Sequence, residues 1–161
     1  MTDLVIRNAV ILTADPACPV VEGGLAVSGG RIEALGAVPD RAQEVVDAQG
    51  GLVMPGLVNT HCHAADCLFR GLVEDLPLEP WLQTVWKAEG AILNEDTCRL
   101  GARLGFAELL LGGCTSVMDM FWHPDSTVAA GAELGLRVAT GGLFFDFPGM
   151  DHKTAETRVP D

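Results

Sequence analysis

The chain has 161 residues, of which 48% are hydrophobic, and its formal net charge is −12. This length supports one modest core, and so acidic a chain is unsuited to a nucleic-acid backbone, which requires clusters of Lys and Arg. The amino terminus lacks the basic and apolar regions of a signal peptide, and no apolar run reaches the ~18 residues that span a bilayer. We therefore expect a cytoplasmic protein that binds neither nucleic acid nor a membrane.

The five cysteines are scattered along the chain and include no Cys-x-x-Cys pair. An odd number without regular spacing argues against a disulfide framework and favours a reducing compartment. The missing pair also disfavours zinc ribbons, and it excludes the small zinc deaminases that carry Pro-Cys-x-x-Cys.

Residues 3–50 are predicted to form short strands. Two apolar segments, 25–27 and 32–35, flank the sequence SGGR at 28–31. A glycine-rich turn between two such segments predicts a β-hairpin. We expect residues 1–51 to form part of a small β-sheet or sandwich, and we find no catalytic cluster in it.

The pattern changes at residue 52. The apolar run over 52–58 does not alternate, which predicts a strand buried on both faces. Residues 64–77 have no clean period and are predicted to be a long loop. A helical spacing of apolar residues follows over 79–93 and includes Trp81 and Trp86.

A second helix is predicted to begin at Asn94, because a capping side chain there precedes two acidic residues. Gly112 and Gly113 are expected to end this helix. The spacing of its apolar residues predicts a core-facing stripe. That stripe consists of Leu100, Leu104, Ala107 and Leu111.

A strand at 114–120, a helix that begins at Pro124 and a strand over 136–145 complete the predicted order. Strands that alternate with helices imply a parallel sheet with right-handed crossovers. In α/β barrels, functional groups collect at the carboxyl ends of the strands. His61 and His63 would lie at this edge, together with Asp119 and His123.

His61 and His63 follow the apolar run and are separated only by Cys62. Alternate residues of a strand point to the same face, so the two imidazoles would lie side by side, an arrangement that suits Zn²⁺ or a similar ion. Taken alone, a His-x-His pair is more often two ordinary polar residues at a strand end than a metal site. The sequence on either side of the pair favours the metal site over two ordinary polar residues.

Segment 54–63, MPGLVNTHCH, resembles the first-strand signature of the metal-dependent amidohydrolase superfamily. Segments 68–72 (LFRGL) and 74–82 (EDLPLEPWL) resemble the branch that contains adenosine-type nucleoside deaminases, guanine deaminases and triazine chlorohydrolases. The resemblance covers essentially the whole chain in one collinear order. It implies a distorted (β/α)₈ TIM-type barrel, a small β-sandwich, and hydrolysis in which a divalent ion activates water.

The resemblance also implies how the chain is divided. Residues 52–161 would form the first three strands of the barrel, and residues 1–51 would form part of the sandwich. A barrel alone takes ~250 residues, and the family's other metal ligands and its acid/base glutamate follow on later strands. We therefore expect an amino-terminal fragment that is inactive alone and contains no catalytic acid or base.

By the same resemblance, His61 and His63 are the first two ligands of one divalent ion, with Zn²⁺ favoured and Fe²⁺ the alternative. Glu89 matches a glutamate that holds ribose hydroxyls in the nucleoside deaminases, although a solvent-exposed helix position is an equal alternative. His123 either lines the substrate pocket or caps the following helix. Trp86 either belongs to the core or walls the pocket.

Two further residues are expected to have structural roles. Arg70 would order the long loop, and Asp119 would tie loops together at a strand end. For the parent enzyme, the resemblance implies deamination of a small molecule with an aminated purine- or pyrimidine-type ring, such as an adenosine-type nucleoside or guanine. The alternatives are a triazine-type chlorohydrolase or cyclic amidohydrolase on the same scaffold, and a noncatalytic metal-binding module. Whether the parent is a homo-oligomer stays open.

Overall fold

Residues 2–143 are described by the computed structural model, and they divide into two units between Pro55 and Gly56. The amino-terminal unit has a sheet in the order β3-β2-β1-β4, and β5 also pairs with β1. Strands β1, β2 and β3 are antiparallel neighbours, whereas β4 and β5 run parallel to β1. The strands are β1 (Leu4–Leu12), β2 (Val20–Ser28), β3 (Arg31–Gly36), β4 (Glu44–Asp47) and β5 (Leu52–Val53).

The hairpin predicted from the SGGR sequence is confirmed. Ser28 pairs with Arg31, and the two turn residues Gly29 and Gly30 have φ angles of 57° and 73°. Positive φ at both central residues defines the hairpin turn whose twist matches that of the strands, and glycine adopts it without a steric penalty. The buried core of this unit is formed by Ala9, Ile11 and Leu25.

The second unit contains a parallel sheet in the order β6-β7-β8, with helices between the strands. The predicted alternation of strands and helices is therefore confirmed as far as residue 143, whereas the expected strand end at 144–145 lies outside the described residues. No helix in the described range is both long and apolar enough to cross a bilayer. The elements are β6 (Leu57–Cys62), a 3₁₀ helix (Ala64–Phe69), α1 (Leu78–Ile92), α2 (Glu95–Leu111), β7 (Cys114–Asp119), α3 (Pro124–Leu134) and β8 (Arg137–Ala139).

The apolar run over 52–58 is divided between two sheets, which differs from the single strand predicted there. Leu52 and Val53 pair with β1 in the first sheet, whereas β6 belongs to the second sheet. Pro55 and Gly56 separate the two strands. Proline has no backbone N–H for a ladder, and both residues are unfavourable inside a strand, so the ladder stops there.

The long loop predicted at 64–77 begins instead with the 3₁₀ helix. The backbone N–H of Asp66 donates to the carbonyl oxygen of His63 at 3.0 Å, and Ala64 and Ala65 are buried. A 3₁₀ helix repeats every three residues, so its buried positions do not follow the α-helical period. The element is consequently invisible to a search for α periodicity.

Helix α2 begins and ends where the sequence predicts. The Asn94 side chain accepts a hydrogen bond from the backbone N–H of Thr97 at 2.9 Å, and the Thr97 hydroxyl accepts one from the backbone N–H of Asn94 at 2.8 Å. This reciprocal pair is a capping box, which satisfies two donors at the helix start. At the other end, the N–H of Gly112 donates to the carbonyl oxygen of Glu108.

The core-facing stripe predicted on α2 is wrong. Leu100, Leu104 and Leu111 are 59%, 49% and 90% exposed. The buried face is shifted around the helix because small residues there allow the 3₁₀ helix to approach closely: a Cβ added to Gly105 would lie 2.5 Å from the carbonyl oxygen of Ala64. The residues that α2 buries are Cys98, Gly101, Ala102 and Phe106.

Candidate metal centre

His61 and His63 lie beside each other at the carboxyl end of β6. Their ring centroids are 5.0 Å apart, and the ring planes are inclined by 81°. The backbone N–H of His61 donates to Asn59 Oδ1 at 3.1 Å, next to an irregularity in the β6–β7 pairing. The two imidazoles are thus neighbours at the edge of the parallel sheet where carboxyl ends collect.

The ring of His63 is held by the end of the neighbouring strand. Its Nδ1 lies 2.6 Å from the carbonyl oxygen of Met120. A carbonyl oxygen only accepts hydrogen bonds, so Nδ1 carries the proton and the lone pair of the neutral ring is on Nε2. Metal-binding histidines usually have such a partner on the second ring nitrogen. Nε2 of His63 is therefore the atom suited to a metal ion.

Asp119 closes the same corner of the sheet, which agrees with the structural role expected for it. This side chain is 1% exposed, and its Oδ1 accepts a hydrogen bond from the backbone N–H of Ala64 at 2.7 Å. Burial raises the pKa of Asp119, and the bond from Ala64 opposes the shift. Cys62 pairs with Asp119 across the strands, and burial raises the pKa of its thiol to about 12. Cys62 is therefore a protonated, half-buried side chain.

Glu89 is buried, so the solvent-exposed alternative considered for it is wrong. Only 3% of the residue is exposed, and Trp122 Nε1 donates a hydrogen bond to Glu89 Oε2 at 2.9 Å. Trp122 follows β7, whereas Glu89 lies on α1. The contact thus joins two elements that the sequence pattern does not relate.

A second carboxyl group, that of Asp66, interacts with Glu89. Burial raises the pKa of Glu89 to about 7, the bond from Trp122 opposes the shift, and the charge of Asp66 adds to it. Burial also raises the pKa of Asp66. The charge of His63 lowers the pKa of both carboxyls, so all three groups share one electrostatic environment.

A cleft of about 490 Å³ lies beside this group, with His63, Asp66 and Trp81 in its wall. At another part of the wall, Arg70 forms a bidentate ion pair with Glu108, with N–O distances of 3.1 and 2.7 Å. This pair connects the segment after the 3₁₀ helix to α2, as expected for a loop-ordering role of Arg70. The cleft can accommodate a small molecule that has an apolar surface and several hydrogen-bonding groups.

The other two proposed pocket residues are not among those that line this cleft. His123 precedes α3 with a φ of 53°, and its side chain makes no capping hydrogen bond to that helix. Trp86 is 38% exposed, and the tryptophan in the cleft wall is Trp81. His61, His63, Asp66, Glu89 and Trp122 are linked to one another by the ring contact, the hydrogen bond and the charge interactions described above.

Sequence reasoning missed three members of this corner: Asp66, Trp122 and the Met120 carbonyl oxygen. A backbone carbonyl carries no sequence signal, and Asp66 and Trp122 reach Glu89 only through the tertiary fold. Within residues 2–143, no group of three or more His, Cys, Asp and Glu side chains is placed to hold a metal ion. Two imidazoles are fewer ligands than the three that catalytic zinc sites usually take from protein.

The amidohydrolase family matches residues 52–160 of the chain. The chain is also similar to the 5'-deoxyadenosine deaminase of Methanosarcina mazei, with 42% identity over 142 residues that cover 86% of this chain and 33% of that protein. It therefore spans about a third of the length of this curated relative.

Two solved structures are similar as well. An adenosine deaminase from Xanthomonas campestris with bound zinc has 32% identity and a TM-score of 0.88, over 97% of this chain and 37% of that protein. An atrazine chlorohydrolase from Arthrobacter aurescens TC1, complexed with zinc, has 26% identity and a TM-score of 0.79, over 86% of this chain and 35% of that protein.

Proposed function

Because the chain belongs to the amidohydrolase family, we propose that it is part of a metal-dependent hydrolase that deaminates an adenosine-type nucleoside. One observation carries this proposal: His61 and His63 are adjacent, and the Met120 carbonyl leaves Nε2 of His63 with its lone pair. The deaminase names of two similar proteins support the reaction type and the substrate class.

His61 and His63 would hold one divalent ion. Neutral imidazole suits both Zn²⁺ and Fe²⁺, and the zinc in two similar structures supports Zn²⁺. When bound, such an ion lowers the pKa of water so that a nucleophile is available near neutral pH. The remaining ligands and the acid/base carboxylate would come from a further part of the protein, as the length of the relatives suggests.

The fold proposal extends the observed sheet. A parallel β6-β7-β8 sheet with intervening helices is compatible with the first three strands of a (β/α)₈ barrel. The amino-terminal unit would be part of a small β-sandwich. In such a barrel the carboxyl ends of β6 and β7 face the active site, which is where His63 and Met120 meet.

Hydrolytic deamination replaces the exocyclic amino group of the ring with an oxygen atom from water and releases ammonia. In our proposal, Glu89 binds the ribose hydroxyl groups, and Trp122 holds the carboxyl in place through its N–H. His123 and Trp86 stay as candidate contacts to the substrate. The proposal includes a small-molecule substrate and a reducing, cytoplasmic compartment, which the five free thiols support.

A second candidate is a triazine-type chlorohydrolase, favoured by the similarity to the atrazine enzyme. A cyclic amidohydrolase would use the same scaffold. A noncatalytic metal-binding module is the third alternative. The exposed residues Leu100, Leu104 and Leu111 argue against it, because an exposed apolar face of this kind favours contact with further protein.

The test is ammonia release from adenosine and 5'-deoxyadenosine with added Zn²⁺ or Fe²⁺. We expect turnover by the longer protein that contains this segment and none by the 161-residue chain, because the described residues supply two ligands. Chloride release from a chlorotriazine without ammonia release would favour the second candidate. Metal-dependent turnover by the chain alone, lost on His61→Ala, would contradict the proposed division of the site. A longer protein that acts on none of these substrates would overturn the function itself.

A further inference from the structure

We propose that Asp119 is a positioning residue for His63, and that its carboxylate holds the backbone turn from which His63 presents Nε2 to a metal ion. The inference rests on the proposed function for the identity of that ion. The positioning of the ring itself is a property of the chain without any metal, and it is testable separately.

Three consecutive residues at the end of β6 are each bonded to Asp119 or Met120. The carbonyl oxygen of Cys62 accepts a hydrogen bond from the backbone N–H of Met120 at 3.0 Å. His63 Nδ1 donates to the carbonyl oxygen of Met120, and the N–H of Ala64 donates to Asp119 Oδ1 at 2.7 Å. His63 is therefore fixed on both sides along the chain as well as through its ring.

Of these three hydrogen bonds, only the one from Ala64 has a side-chain acceptor, so a substitution at Asp119 can remove it. Ala64 is 4% exposed, so loss of the carboxylate would leave a buried N–H without its acceptor, which is unfavourable. The turn after His63 would then rearrange until that N–H reaches another acceptor. The ring would move from the Met120 carbonyl, and nothing would keep the proton on Nδ1.

The Oδ1 atom of Asp119 holds the turn as a hydrogen-bond acceptor, and the charge of the carboxylate is not required. Asp119→Asn keeps an acceptor oxygen at the same distance from the backbone, whereas Asp119→Ala removes it. Where Asp119→Ala does not fold, Asp119→Ser takes its place, because a hydroxyl on Cβ is one bond too short to reach Ala64. Phe106→Leu serves as a matched control, because it weakens the core cluster that contains Ala64 and leaves the Asp119 carboxylate in place.

The first measurement is the ¹⁵N chemical shifts of the His63 ring in the metal-free chain, recorded at a pH where this ring is neutral. The signals are assigned by their absence from the His63→Gln variant. We expect a protonated Nδ1 in the wild type, in Asp119→Asn and in Phe106→Leu, and a mixture of both tautomers in Asp119→Ala. A wild-type ring pattern in Asp119→Ala would overturn the inference. A mixed pattern in Asp119→Asn would also overturn it, because charge would then be what matters.

The second measurement is Zn²⁺ affinity by competition with a coloured chelator, made on the longer protein that contains this segment, because the described residues supply only two of the ligands. We expect Asp119→Ala to bind Zn²⁺ about 10–100-fold more weakly, the usual effect of losing a supporting hydrogen bond, and Asp119→Asn to bind as the wild type does. Equal affinity in Asp119→Ala and the wild type would contradict the metal part of the inference. A wild type that does not bind Zn²⁺ but shows the expected tautomers would count against the proposed function and leave the positioning of His63 supported.

Discussion

Trp122 and Glu89 are 33 positions apart in the sequence, yet the indole N–H donates to the carboxyl at 2.9 Å in a buried setting. Burial alone disfavours a carboxylate, and a hydrogen bond from a neutral donor compensates only in part. The result is a carboxyl group with a pKa of about 7. The Glu89 side chain therefore changes its charge near neutral pH.

This pKa predicts that the free energy of unfolding decreases as the pH rises from 4.5 to about 7. Over this interval Glu89 still binds a proton in the folded state but has lost it in the unfolded state. A rise in pH therefore favours the unfolded state, and the free energy of unfolding decreases. Above pH 7 the contribution is constant. The total decrease is on the order of 3 kcal/mol.

Urea unfolding across this pH interval checks the prediction, with Glu89→Gln as the comparison. The glutamine retains an acceptor for Trp122 but does not titrate. The free energy of unfolding of this variant should therefore lack the decrease of about 3 kcal/mol between pH 4.5 and 7. Parallel pH profiles for the two proteins would show that Glu89 has an ordinary pKa.

Trp122→Phe is expected to destabilise the chain by about 1–3 kcal/mol at pH values above 7, because it leaves the charged, buried Glu89 without its donor. A double-mutant cycle with Glu89→Met separates this loss from the change in ring packing. We expect the double variant to be more stable than the sum of the two single losses implies. Additive losses would mean that the hydrogen bond contributes nothing.

His61→Ala and His63→Ala are each expected to reduce Zn²⁺ affinity by more than the ~10–100-fold that loss of a supporting hydrogen bond causes. Each substitution removes one of the two proposed ligands. His123→Ala is the control, since this histidine precedes α3 and is not one of the two proposed ligands. Isothermal titration of the three variants, made in the longer protein that contains this segment, measures the effect. Equal losses in all three would indicate nonspecific binding to histidine.

Gly105→Ala is expected to destabilise the second unit and to lower Zn²⁺ affinity. The new Cβ would lie 2.5 Å from the carbonyl oxygen of Ala64, so the 3₁₀ helix directly after His63 must move. Gly90→Ala is the matched control on α1, where an added Cβ meets nothing within 4 Å. There the substitution should stabilise the helix by about 0.5–1 kcal/mol. Thermal unfolding of both variants decides; a tolerated Gly105→Ala would mean that the two helices are not closely packed.

Local sequence signals were sufficient for the elements that are bounded by characteristic turn or capping residues. Gly29 and Gly30 predict a hairpin because few other residues adopt their φ angles, and Asn94 predicts the start of α2 because its side chain caps the adjacent backbone. His61 and His63 were identified from the chain for the same reason: the pattern lies within three residues. Each of these signals depends on neighbours in the sequence.

Features that depend on distant neighbours were missed. The buried face of α2 is chosen by the close approach of the 3₁₀ helix to Gly105, and a count of leucines points to the opposite side. The burial of Glu89 similarly depends on Trp122 and Asp66, which lie on other elements. The periodicity of a single helix contains no information about which of its faces another element will cover.

The β2–β3 turn also has a practical consequence. A Cβ at either Gly29 or Gly30 would meet nothing within 4 Å, so this tip points into open space. Exposed turn tips are the positions where inserted peptides are best tolerated. An epitope or a fluorophore-binding sequence placed between Gly29 and Gly30 would therefore label the protein from the unit that does not contain His61 and His63.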